Sequence, residues 1–185
     1  MKKGWIIGIG IVVLLLLIVM GSYNGLVNAD EEVTQAWGNV ESAYQRRIDL
    51  IPNLVATVEG YKIHEKEVLT EITEARSKIT QAQTPAELTS GDAALNSALA
   101  RLLVVVENYP NLKANENFLS LQDELAGTEN RIKVERDRYN EAVKKMNVKV
   151  RRFPSNIVAG MFGFETKEVF EAEEGAEIAP EVSFE

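Results

Sequence analysis

Eighteen consecutive residues, Gly4 to Gly21, carry no charged or strongly polar side chain. Such a run fixes its solvent before it fixes a fold. At about 1.5 Å per helical residue it spans roughly 27 Å, close to the ~30 Å hydrocarbon thickness of a bilayer. The competing reading is a cleaved signal peptide, with Lys2 and Lys3 as the basic start and Val27-Asn28-Ala29 as a small-residue cleavage site. The run exceeds the about 7–15 apolar residues of a signal-peptide core, and the cut would lie well downstream. A retained transmembrane helix over residues 4–22 is therefore expected, contacting the lipid bilayer, after a short basic N-terminus at 1–3.

Flanking charge gives an orientation. Lys2 and Lys3 precede the span; Asp30, Glu31 and Glu32 follow it, and the next basic residue is Arg46. The positive-inside rule places the N-terminus in the cytoplasm and the large domain outside. Trp5 and Tyr23 mark the two ends of the span, where amphipathic rings favour the interface. Gly4 and Gly8 form one small-xxx-small face, which suits self-association.

Beyond the span, Val33, Trp37, Val40, Tyr44, Ile48, Ile51, Val55 and Val58 recur at spacings of three and four, the mark of one buried helix face. Pro52 interrupts this stripe. Either the helix kinks there, or a second helix starts with Asp49 as N-cap and Pro52 in its first turn. The pattern resumes at Tyr61, Val68, Ile72, Ala75 and Ile79, so helix is expected to about Gln83. Thr84-Pro85-Ala86-Glu87 reads as a capping box that opens a short turn stopped at Ser90-Gly91. Asp92 then caps a stripe of Leu95, Ala98, Leu99, Leu102, Leu103 and Val106. Phe118, Leu121, Leu125, Ile132, Tyr139, Val143, Met146, Val150 and Phe153 keep heptad-like spacing until Pro154.

The expected fold is all-α: an N-terminal transmembrane helix, an up-and-down bundle of long helices over 23–153, and an irregular or extended acidic tail over 154–185. From Glu165 to Glu185 there are eight Glu and one Lys, so most of the net charge of -8 lies in the tail, which will avoid anionic lipid. Ile178 to Phe184 alternates apolar and polar residues and could lie extended against the bundle or add to a neighbouring chain as a strand, the plainer reading being a loosely ordered acidic tail. Phe153, Phe162, Phe164, Phe170 and Phe184 either staple this tail to the bundle or dock a partner. A net acidic chain is a poor match for nucleic acid, which requires a basic face, so no nucleic-acid partner is expected.

Catalytic parts are scarce. The chain has no cysteine and one histidine. His64-Glu65 resembles half of a zincin motif, but position 68 is Val where a second histidine is needed. Glu107, Glu124 and Glu129 could gather with Arg46, Arg47 and Arg131 in the bundle, yet the Glu-x-x-His motif of di-iron bundles is missing. Paired charges that fix helix register are the expected outcome. A seryl triad has no parts to draw on, and the glycines at 4, 8 and 10 lie in the span rather than in a phosphate loop. No catalytic, cofactor-binding or metal-binding residues are assigned, and no cofactor is expected.

Several blocks of this sequence are similar to the LemA family of bacterial membrane proteins. They are Tyr23-Asn-Gly-Leu-Val27, Gln35-Ala-Trp-Gly-Asn-Val40, Arg46-Arg-Ile-Asp-Leu-Ile-Pro-Asn-Leu-Val55, Gly60-Tyr61, His64-Glu65, the run from Arg101 to Asn115, Asn117-Phe118, Thr128-Glu-Asn-Arg-Ile132, Tyr139-Asn140 and Phe153-Pro-Ser-Asn-Ile-Val-Ala-Gly160. The resemblance covers essentially the whole chain. It implies an N-terminal anchor and a bundle of long helices, without an established enzymatic activity. The function expected is a non-enzymatic, membrane-anchored scaffold or interaction protein of the cell envelope, forming a homo-oligomer or docking other envelope proteins. Two alternatives are a carboxylate-based metal-binding bundle enzyme and an envelope signalling module.

Overall fold

A computed structural model describes residues 2–61 and 65–171. His64, Phe184 and the alternating stretch from Ile178 to Phe184 lie outside the described residues. Among the described residues six helices follow in order: α1 (Lys2–Glu59), α2 (Lys66–Gln81), α3 (Pro85–Val106), α4 (Pro110–Lys113), α5 (Glu116–Arg151) and α6 (Ser155–Phe162). The all-α bundle is as the periodicity predicts.

α1 is 58 residues long, roughly 87 Å at the ideal rise. Pro52 sits inside it, so the helix continues through the proline and the alternative of a second helix capped by Asp49 does not form. A proline lacks the N–H that would bond the carbonyl four residues earlier. Here that carbonyl, Ile48 O, accepts a hydrogen bond from Arg76 Nε at 3.1 Å. A side chain of α2 thus satisfies the group that Pro52 orphans, and Pro52 itself faces solvent.

The expected helix through Tyr61 to Gln83 is not formed in one piece. α1 ends at Glu59, and Gly60 and Tyr61 turn away with Tyr61 N donating to Val58 O at 3.1 Å. The apolar pattern survives because α2 reuses it on a separate helix, burying Val68, Leu69, Ile72, Ala75 and Ile79. α2 folds back along α1, as the Arg76–Ile48 bond requires.

Thr84 caps α3 as expected, and Glu87 reaches back, though to Gln83 N one residue before the cap. Thr84 Oγ1 accepts from Glu87 N at 3.2 Å, and Glu87 Oε2 accepts from Gln83 N at 2.7 Å. The expected stop at Ser90-Gly91 does not occur, and α3 runs on without a break. Gly91 serves packing instead: a Cβ there would lie 2.9 Å from Ile79 Cγ1 and 3.1 Å from Ile79 N. Its bare backbone lets α2 and α3 approach closely. An Arg101–Glu71 pair ties the same two helices further along, so they are antiparallel.

α5 is antiparallel to α1 along its whole length. Asn115 caps α5 by accepting from Phe118 N at 3.0 Å and also donates to Tyr61 Oη at 2.9 Å, tying the helix start to the end of α1. At the other end, Lys149 Nζ donates to Gly25 O at 2.7 Å. The hairpin α2–α3 covers the part of this pair far from the N-terminus.

The segment expected as an irregular tail contains an additional helix. After a cis Phe153–Pro154 bond, α6 buries Val158 and Ala159 and ends at Gly163, whose φ of 76° is the left-handed conformation that glycine accepts without a Cβ clash. Residues 164–171 then run back over α5 without helical structure. Lys167 N and Phe170 N donate to Asn147 Oδ1 and Asn140 Oδ1, each at 2.8 Å. The two asparagines return the contact, donating through Nδ2 to Lys167 O and Phe170 O at 2.9 Å. Phe170 is buried and Phe164 packs against the core, as the stapling reading expected, whereas Phe153 and Phe162 stay 75% and 53% exposed.

Candidate functional site

The charged cluster in the bundle is centred on Arg47, which is 2% exposed. Its position in the buried stripe of α1 points a guanidinium at α3 and α5. Nη1 donates to Asp92 Oδ1 at 2.6 Å and Nη2 to Glu129 Oε2 at 2.8 Å. Nη2 also donates to Asn96 Oδ1, and Asn96 Nδ2 reaches Glu129 Oε1 at 3.4 Å. Three helices that share no sequence neighbourhood are thereby joined through one cation.

Asp92 is buried, whereas the Glu129 side chain is half exposed. A charge removed from water is tolerable only when paired and hydrogen-bonded, and Arg47 has both. Tyr44, one turn before Arg47, places its hydroxyl in the same buried region. Burial pushes its phenol pKa above the ordinary 10.0; Asp92 adds to the rise, and Arg136 and Arg47 oppose it.

A cleft of about 600 Å³ opens beside this cluster, with Asp92, Glu129, Lys133, Arg136, Asn140 and Phe170 among its walls. The strap closes one side. Phe170 stacks on Trp37 at 6.1 Å between centroids and meets Tyr139 edge-on at 5.4 Å, with the Arg136 guanidinium carbon 4.8 Å from its centroid. Tyr139 donates to Glu168 O at 3.1 Å. Its phenol pKa is raised by burial first and by Glu168 second.

Of the six residues expected to gather, the structure joins Arg47 and Glu129. Glu107 instead pairs with Lys113 at 2.6 Å on the surface, and Glu124 is exposed. Arg46 and Arg131 line a different groove of about 330 Å³ together with Arg138 and Glu135. Glu135 is 7% exposed and accepts from Arg138 at 2.9 Å. Asp92 and Asn96 escaped the sequence reading because Asp92 after Gly91 looked like a cap. The available signal was spacing: Asp92 and Asn96 are four apart, on one face of a helix with Leu88 and Leu95. Among the described residues no three His, Asp or Glu side chains converge as a metal-ligand set.

The cluster can hold three helices in one register, and its two carboxylates are both engaged by Arg47. Comparison with known proteins gives the cluster a wider setting. The model of the LemA family matches residues 36–184, which includes every residue of the cluster and the strap. Protein LemA of Metamycoplasma hominis is 29% identical over 161 residues, covering 85% of this chain and 72% of that protein. Magnetosome protein MamQ 2 of Paramagnetospirillum magneticum is 25% identical over 175 residues, covering 80% of this chain and 64% of that protein. Magnetosome protein MamQ of Magnetospirillum gryphiswaldense is 23% identical over 174 residues, with the same coverage on both sides. The chain thus spans just under two thirds of the length of the MamQ relatives.

Proposed function

The chain belongs to the LemA family, and from that premise we propose that it is a non-enzymatic scaffold held in a membrane by the first part of α1, presenting its bundle to further copies or to other envelope proteins. The observation that carries this reading is the continuity of α1. The most apolar eighteen-residue window of that helix is entirely unburied, so it is not the core helix of a soluble domain. The same helix then enters the core without a break at Leu26 and Ala29, which are 0% and 1% exposed. A signal peptidase cut after Ala29 would remove Leu26 from that core, which argues for a retained span.

A structural role for the cluster is supported over a metal-dependent one because Asp92 and Glu129 each give an oxygen to the Arg47 guanidinium. Self-association has support in the span itself. Gly4 and Gly8 are four apart, a small-residue spacing that lets a second helix pack closely. By the flanking lysines, the bundle lies on the outer side of the inner membrane.

Extraction in mild detergent, followed by intact mass and size measurement, tests the proposal. The expected result is a mass that includes residues 1–29 and an assembly larger than one chain or bound to another protein. A mass beginning at Asp30, or a monomer that co-purifies with nothing, would overturn it.

A further inference from the structure

α6 and the corner before it lie at the level where the apolar span ends. The Phe162 ring is 4.8 Å from the Tyr23 ring and that of Phe164 is 5.9 Å from it, and Tyr23 is two residues past Gly21. Lys149 Nζ bonds Gly25 O, which puts the last turn of α5 at the same height. A chain anchored by residues 4–22 therefore carries α6 against the membrane surface.

The residues exposed there are unusual for a surface in water. Phe153 is 75% exposed, Ile157 55%, Met161 69% and Phe162 53%. Ile157 and Met161 are one turn apart, on a different face from the buried Val158 and Ala159. Beside them is a groove of about 730 Å³ with Val148, Phe153 and Pro154 as its apolar wall and Lys144, Lys145, Lys149 and Arg152 around it. Its one acid, Glu141, is paired with Lys145 at 3.3 Å. Ser155 Oγ donates to Lys149 O and Arg152 O at 2.8 and 2.9 Å, fixing the corner between α5 and α6.

Exposed apolar side chains at the corner and along α6, with cations beside them, match the headgroup layer of a bilayer, where acyl chains meet phosphate. We propose that α6 is a membrane-interface foot: Phe153, Ile157, Met161 and Phe162 enter the acyl boundary, and Lys144, Lys145 and Arg152 bind anionic phospholipid headgroups. This rests on the anchored reading of α1 and adds a second, lipid-specific contact. Its occupant is the bilayer that already holds the span, because the patch is continuous with the end of that span and its charge is complementary to anionic lipid. Two contacts instead of one would fix the tilt of the bundle on the membrane.

The cysteine-free sequence permits single labels in the full chain. Fluorophores are placed through Val12→Cys in the span, Met161→Cys in the foot and Val104→Cys on α3, a residue that is 70% exposed. Each protein is reconstituted into nanodiscs carrying acyl-chain spin-labelled lipid, either mixed phosphatidylglycerol and phosphatidylcholine or phosphatidylcholine alone. The expected result is strong quenching at 12 and at 161 and none at 104. Quenching at 161 should fall several-fold in phosphatidylcholine alone and in the Lys144→Gln/Arg152→Gln variant, with position 12 unaffected.

Quenching at 12 with 161 as water-accessible as 104 would overturn the foot and leave the anchor standing. Equal quenching at 161 in both lipids would overturn the headgroup assignment. A label at 161 shielded from aqueous iodide yet untouched by lipid quencher would overturn the proposal in favour of a second copy of the chain on that face. Absence of quenching at 12 would remove the anchored reading and the foot with it.

Discussion

Residues 4–22 and 23–59 of α1 share one uninterrupted helical backbone but meet different surroundings. The first part is apolar on every side and packs on almost nothing; Trp5, Ile6 and Leu17 are more than half exposed. The second part is apolar along one stripe, and that stripe is the spine of the core, with Val40, Ile48, Ile51 and Val58 at 2% exposure or less. Hydrophobicity alone does not separate the two. What separates them is its distribution around the helix, all-round for lipid and one-sided for protein. The second part also carries the buried Arg47, a residue the first part could not hold without a partner.

Substitutions that distinguish the two parts sharpen this contrast. The largest effect is expected from Arg47→Ala, which strands Asp92 in the core: about 3–5 kcal/mol of bundle stability should be lost in urea unfolding, with membrane retention unchanged. Val13→Arg should do the reverse, weakening insertion by about 3 kcal/mol. Alkaline extraction of membranes would read that loss, and the urea midpoint of the bundle should not move.

Next is Gly91→Val, which pushes a side chain into Ile79 across the α2–α3 contact. A destabilisation of about 1–3 kcal/mol is expected from overpacking, again in urea and again without loss from membranes. Glu129→Gln should have the smallest effect, no more than about 1 kcal/mol, because that carboxylate is half exposed and water replaces much of what it provides. A Glu129→Gln effect as large as that of Arg47→Ala would mean that the cluster is held by its outer carboxylate and not by the buried pair.

The parts of the fold legible in the sequence are those set by local chemistry. The stripe of α1, the heptads of α5 and the Thr84 capping box each depend on residues a few positions apart. The parts that were not legible depend on distant partners. Continuity through Pro52 requires Arg76, 28 residues later, to take the orphaned carbonyl. Gly91 resembles a stop signal until Ile79 is seen against it, and Asp92 resembles a cap until Arg47 is seen to need it.

α6 and the strap were hidden for a related reason. Their Gly- and Phe-rich composition has no strong period, and their order comes from Asn140, Asn147 and Tyr23 in other helices. Charge near the membrane was likewise invisible. No basic residue lies between the span and Arg46 in sequence, yet folding returns Lys149 to Gly25. For the charged cluster, Arg47 and Glu129 were nameable as candidates, but which carboxylates would converge depended on helix register across three elements.

Continuity of α1 across the boundary between its two parts is the claim on which the rest depends. Amide hydrogen exchange of the full chain in nanodiscs, resolved over residues 19–33, tests it most directly. Slow exchange through every amide of that stretch, with no gap between the lipid-protected and the bundle-protected part, is the predicted result. A band of fast exchange at residues 22–28 would contradict it, by showing a hinge that lets the bundle move independently of its anchor.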